Sequence, residues 1–391
     1  MTIKINTFTL RVISEKLLFI FLTFLINHFG FTQSISDELP ITKLKFINQY
    51  VIPFNQSFKE TTIGGLSGID YDKEHDIYYL LSDDRSDINP VRFYTTKIHF
   101  SQKGIDTVSF VNVHFLLQPG GEKYQSFKLY PAQAVDPEDI RFNAKTGQLY
   151  WANEGERILG GKENILTNPT IQIARPDGSY VNPFPLSQIL SMQSTEKGPR
   201  RNGTLEGISF SLDFSTFYAA LEEPLYEDGP RADVVITDSW IRIFQFDGSG
   251  KKNSAQYAYA LEPVAYPANP LAEFKVNGVS EILSIGKSQL LTIERSYSTG
   301  RLPCTIKVFL ADFTHADDIK NVLSLKDHPP QHPVKKQLLL NMDDLGIYID
   351  NVEGVTFGPT LSNGHASLIF VTDDNFQQKQ KTQLLLFEII P

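Results

Sequence analysis

One short phrase recurs five times along the 391-residue chain, and its spacing restricts what the chain can fold into. The copies are Ser67-Gly68-Ile69, Glu138-Asp139-Ile140, Glu206-Gly207-Ile208, Ser280-Glu281-Ile282 and Glu353-Gly354-Val355, with first residues 71, 68, 74 and 73 positions apart. A fixed period of this kind marks a repeat architecture, in which each unit buries its apolar face against the next. Every copy opens a strand-like run, followed by a turn and a second apolar run that ends in acid. Those endings are Asp83-Asp84, Glu154, Glu222-Glu223, Glu294 and Asp373-Asp374.

Alternating apolar runs give four strands to each of the first four units. The fifth has only three before the chain ends, and the strand-like run Leu44 to Ile52 has no partner near it in sequence. Pairing that run with the last unit closes a ring and removes the exposed edges of an open array. The expected fold is therefore all-β: a β-propeller of four-stranded blades, closed by the N-terminal strand joining the last blade. Five blades are expected, or six if the connections at 118–133 or 263–273 hide strands. Short helices are expected at 313–325 and 186–192.

Residues 1–32 read as an export signal, with Lys4, Arg11 and Lys16 ahead of an apolar run from Leu17 to Ile26 and small residues before Gln33. The run is short for a membrane span of roughly 20 residues, though an uncleaved anchor is the alternative. Residues 33–40 form a short leader and 41–391 the propeller. The expected location is periplasmic or extracellular, with no stable membrane span once the signal is removed. Cys304 is the only cysteine, so no intrachain disulfide can form. The net charge of −9 argues against nucleic acid as a partner. P-loop, zinc-peptidase and nucleophile-elbow motifs are absent.

In a propeller the first strand of each blade lines the channel. The phrase opens that strand, and the second acidic group closes its hairpin partner, so both converge on one end of the ring. Glu138, Asp139, Glu206, Glu281 and Glu353 form one set; Asp83, Asp84, Glu154, Glu222, Glu294, Asp373 and Asp374 form the other. Clustered carboxylates repel, and a hard cation relieves that most directly. Oxygen ligands without a His or Cys cluster suit Ca²⁺, or Mg²⁺. Asp83, Asp84, Glu154, Glu222, Glu294 and Asp373 are the candidate metal ligands, and Glu138, Glu206 and Glu353 the candidate catalytic carboxylates. Arg85, Arg157 and Arg295 each closely follow an acid, and their planar forks suit an anionic substrate. The same acids could instead cap loop N–H groups or pair with these arginines.

The runs Gly64-Gly65-Leu66-Ser67-Gly68-Ile69, Leu81-Ser82-Asp83-Asp84-Arg85, Asp136-Pro137-Glu138-Asp139-Ile140, Asn153-Glu154-Gly155-Glu156-Arg157, Asn202-Gly203-Thr204-Leu205-Glu206-Gly207 and Asn351-Val352-Glu353-Gly354-Val355 together resemble the "esterase-like activity of phytase" family. The resemblance extends over roughly 41–391 and implies an exported, phytase-like propeller. It suggests hydrolysis of an ester or phosphoester, with calcium as in propeller phytases. Taken with the repeat, the expected activity is metal-assisted hydrolysis of a small anionic ester or phosphoester by a monomer. The alternatives are a non-catalytic ligand-binding propeller of the cell envelope and a calcium-dependent lactonase.

Overall fold

The computed structural model describes residues 39–391 apart from Ser249 and Lys251; the expected signal and nearly all of the leader lie outside the described residues. Five four-stranded antiparallel sheets form five blades. Their innermost strands are Leu66–Asp72, Pro137–Asn143, Leu205–Phe210, Lys275–Gly286 and Asn351–Phe357, each opening on a copy of the phrase or a few residues before it. The fifth blade is completed by Lys43–Ile52, which pairs antiparallel with Thr382–Ile390 from Lys43↔Ile390 to Ile52↔Thr382. Chain closure is thus as the strand arithmetic requires. The long connections add no strand to any blade, which leaves the count at five.

Blade 1 continues through Ile77–Ser82, Arg92–Ser101 and Gly104–Phe115, and blade 2 through Gln148–Asn153, Thr170–Ala174 and Tyr180–Phe184. In blade 2 the segment between its second and third strands carries a small hairpin, Glu156–Ile158 with Ile165–Thr167. Among the described residues helix is limited to short 3₁₀ turns at Gln188–Leu190 and Met342–Leu345. The expected helix at 313–325 is absent. That segment holds Ile319 and Leu325 against the outer strands of blade 3, and Asp228 and Asp318 take up backbone N–H groups that a helix would have used internally. Among the described residues no helix is long and apolar enough to cross a membrane.

The blades are held together by aromatic packing between sheets. Tyr150 and Phe184 of blade 2 meet Phe217 of blade 3 at ring-centroid distances of 5.6 and 4.8 Å. At the hub the glycines of the phrase let inner strands approach. A β-carbon on Gly68 would lie 2.8 Å from the Ile140 nitrogen, one on Gly207 2.5 Å from the Ile282 nitrogen, and one on Gly354 2.6 Å from the Ser67 oxygen.

A β-bulge interrupts the first hairpin of all five blades at the same place. The register shifts between Leu66 and Ile69, Pro137 and Ile140, Leu205 and Ile208, Val279 and Glu281, and Val352 and Gly354. A bulge bends the strand and re-aims side chains, and here it falls on the first residue of every phrase. The blade geometry and the bulge together place Ser67, Glu138, Glu206, Ser280 and Glu353 at one end of the channel.

Candidate functional site: an acidic mouth divided by charge

At that end, carboxylate oxygens of Asp83, Asp136 and Glu138 lie within 4.8 Å of one another, and so do those of Glu138, Glu154 and Glu206. Glu138 belongs to both trios. It is at least nine-tenths buried, as is Glu206. Burial pushes the Glu138 carboxyl well up, and the nearby Glu206, Asp83, Asp136 and Glu154 push it further. Glu206 is raised by burial and then by Glu222 and Glu154. Glu154 is anchored on one side, where its Oε1 accepts from the backbone N–H groups of Gly203 and Thr204 at 2.7 and 2.6 Å. Asp83 is raised by burial, then by Asp136 and Asp373. Asp136, which is not among the carboxylates of the repeat, is raised by burial to about 6 despite the Arg85 guanidinium beside it. It immediately precedes Pro137 in the run Asp136-Pro137-Glu138-Asp139, a signal visible in the sequence.

Arginines occupy the rest of the mouth. Arg85 pairs with Asp136 at 3.3 Å and Glu156 at 3.0 Å, and its guanidinium lies 3.5 Å from the centre of the Phe127 ring. Arg295 reaches from blade 4 to Glu222 of blade 3 and to Glu353 of blade 5, the latter at 3.0 Å, and donates to Asn351 Oδ1 at 2.7 Å. Both arginines leave a buried Nε–H without an acceptor. Glu353 is held through Oε1 by Arg295 and by Asn351 Nδ2, while its buried Oε2 has no hydrogen-bond partner. Asp373 sits close by, raised by burial and then by Glu353.

Other sequence candidates lie elsewhere. Arg157 donates to the carbonyls of Gln193 and Thr195 on a surface loop. Asp84 caps the N–H groups of Asp87, Ile88 and Asn89 and pairs with Arg92 at 2.7 Å. Asp374 accepts from Gly65 and Phe376. Glu294 is taken by Tyr259, Asn277 and Lys336 between blades 3 and 4. Repeated blades repeat their capping devices, so one sequence position serves the mouth in some blades and the scaffold in others.

Asp139 and Glu281 are in the scaffold too. Both contact Arg141, whose guanidinium lies in the channel below the mouth and donates to the carbonyls of Ile69, Ile208, Ile282 and Val355. Towards the opposite face opens a separate cavity of about 900 Å³, lined by Arg141, Asp70, Phe142, Phe210, Leu283 and Phe357 among others.

A cation is a good fit to the mouth on geometric grounds. Two oxygens on opposite sides of one Ca²⁺ stand about 4.8 Å apart, twice a bond of roughly 2.4 Å. Both trios lie within that span, and Glu138 and Glu206 have no hydrogen bond or ion pair of their own to a described residue.

No curated protein sequence matches the chain. Solved structures that resemble it include an endo-arabinase from Bacteroides thetaiotaomicron (12% identity over 87% of this chain and 98% of that one, TM-score 0.41). Others are a periplasmic gluconolactonase from Pseudomonas aeruginosa (11%, 85% and 90%, TM-score 0.36) and an α-L-arabinofuranosidase from Lactobacillus brevis (10%, 83% and 91%, TM-score 0.43). Residues 61–376 match the phytase-like family described as "esterase-like activity of phytase", and the chain belongs to that family.

Proposed function

We propose that the chain is an exported, metal-assisted hydrolase of esters or phosphoesters, working at the acidic mouth on a small anionic substrate. The observation that carries this reading is the division of the mouth: Asp83, Glu138, Glu154 and Glu206 in blades 1 to 3 have no cationic partner, and they are flanked by Arg85 and Arg295, each with a buried Nε–H that lacks an acceptor. Asp83, Asp136, Glu138, Glu154 and Glu206 would hold a divalent cation, Ca²⁺ by size and ligand type. Such a cation supplies Lewis acidity toward the ester oxygen.

The chain's own groups do the rest. Arg85 and Arg295 each offer a spare N–H to the substrate anion and to the charge that builds in the transition state. Glu353, fixed through one oxygen and free at the other, is placed to take a proton from the attacking water. The water oxygen bonds to the acyl carbon or phosphorus, the C–O or P–O ester bond breaks, and that proton passes to the departing alcohol. Burial raises the Glu353 carboxyl, with Arg295 opposing the shift, and a raised carboxyl is a stronger base once ionised.

The test measures hydrolysis of p-nitrophenyl phosphate, bis-p-nitrophenyl phosphate, short acyl esters and lactones, with and without chelator. The expected result is chelator-sensitive turnover of an ester or phosphoester that Glu353→Gln lowers about 100-fold or more. Turnover of lactones alone would move the substrate class, and no turnover on any substrate would leave a binding propeller.

A further inference from the structure

We infer that the mouth binds two divalent cations, with Glu138 bridging them. This rests on the cation-dependent reading of the mouth but makes a separate claim, about stoichiometry and a shared ligand.

The first observation is geometric. The two carboxylate trios draw on five residues because Glu138 is common to both. One trio opens toward blade 1 through Asp83 and the other toward blade 3 through Glu206. A carboxylate has two oxygens and can serve two metals, as in two-metal hydrolytic sites about 3.5–4 Å apart.

The second observation concerns charge. Arg295 already pairs with Glu222 and Glu353 on the far side of the mouth, and Arg85 and Arg201 with Asp136 and Glu156. Asp83, Glu138, Glu154 and Glu206 of the two trios remain without an ion pair, as does Asp373 beside Asp83. Five unpaired carboxylates carry more charge than one divalent cation can balance, and a second cation brings the mouth close to neutrality.

The third observation is that Glu138 and Glu206 are at least nine-tenths buried and unpartnered. Buried charges that are purely structural are normally paired. Their neighbours in the same fold follow that rule: Asp84, Glu294 and Asp374 all have partners. Glu154 is held by two backbone N–H groups through Oε1, which leaves its other oxygen for a ligand.

The test is isothermal titration of chelator-stripped full chain with CaCl₂, checked by equilibrium dialysis and metal analysis. Two Ca²⁺ per chain are expected. Glu138→Gln should weaken both sites at least tenfold. Glu206→Gln should remove one site and Asp83→Asn the other, each leaving the second. Glu222→Gln, on the side held by Arg295, should leave both. These near-isosteric changes are verified by circular dichroism and melting. Should any unfold, the wild-type stoichiometry still decides. A stoichiometry of one or none overturns the inference, as does loss of a single site in Glu138→Gln. Two bound cations without hydrolysis of any substrate would sustain this inference while removing the hydrolase reading. Turnover with a single bound cation would do the reverse.

Discussion

Arg141 is the residue on which most of the hub depends. One guanidinium satisfies a main-chain carbonyl from each of the other four blades, at the same third position of the phrase, and is neutralised by Asp139 and Glu281. Removing one side of a buried ionic cluster leaves uncompensated charge, at about 3–5 kcal/mol. Arg141→Met should lower the unfolding free energy in urea by that amount, and adding Asp139→Asn and Glu281→Gln should restore part of it. A loss under about 1 kcal/mol would show that the hub does not need the arginine. The sequence carried a hint of this. Position four of the repeat reads Asp70, Arg141, Ser209, Leu283 and Thr356, so a single basic residue stands in the channel-lining strands at that level. Its partners were not legible, because main-chain carbonyls leave no trace in side-chain identity. Glu223 offers a pH test away from the proposed ligands. Burial raises it to about 8, with Glu222 adding to the shift and Arg231, Arg200 and Arg295 opposing it. The folded state therefore holds the proton more tightly than the unfolded one, and stability falls as pH rises from about 4.5 to about 8. Glu223→Gln should melt higher than wild type at pH 8, by roughly 2 °C or more, and converge with it near pH 4.5. An unchanged difference across that range would contradict the assignment.

Among the elements, the inner hairpins carry the design. Their strands were readable from apolar alternation, and their acids from the repeat. The bulge at each phrase was not readable, because a bulge adds a residue to one strand without changing composition. It explains why the phrase is kept in five copies: each copy needs a residue free of the ladder to face the mouth. Glycine and acid also alternate around the hub for a packing reason. Gly68 leaves room for Asp139, and Gly207 for Glu281. A methyl group on Gly207 would lie 2.5 Å from the Ile282 nitrogen and 2.7 Å from the Glu281 carboxylate. Gly207→Ala should cost about 1–3 kcal/mol by overpacking, measured by urea denaturation. A neutral result would mean that blades 3 and 4 can separate locally without loss. Arg157 and Glu294 show the limit of reasoning from the repeat. Both occupy the pattern, but loop carbonyls take up Arg157, and a tyrosine of the neighbouring blade with a lysine of the outer strand of its own blade takes up Glu294; such long-range partners depend on the folded ring.

As a whole molecule, the ring is fastened by strand pairing between its two ends. Leu44, Ile52, Leu385 and Phe387 are buried at that seam, and Lys45 pairs with Glu388 at 2.9 Å. A chain beginning after Ile52 would expose the paired edge of Thr382–Ile390, a template for association between molecules. Such a truncation should elute from a sizing column as aggregate, whereas one beginning at Leu39 should elute as wild type; a soluble, compact product of the shorter chain would show that closure is dispensable. The arginine at the hub has one more consequence, for the size of the ring. A side chain has a fixed reach, and five N–H groups point in fixed directions. Arg141 touches all four remaining inner strands only because five blades set the bore to its span. An extra blade would widen the bore and carry some of those carbonyls away from it. This residue therefore acts as a gauge for the circumference, and a duplicated or deleted repeat in a descendant of this chain would have to replace it. It is also a stopper: the guanidinium spans the channel between the acidic mouth and the cavity towards the opposite face.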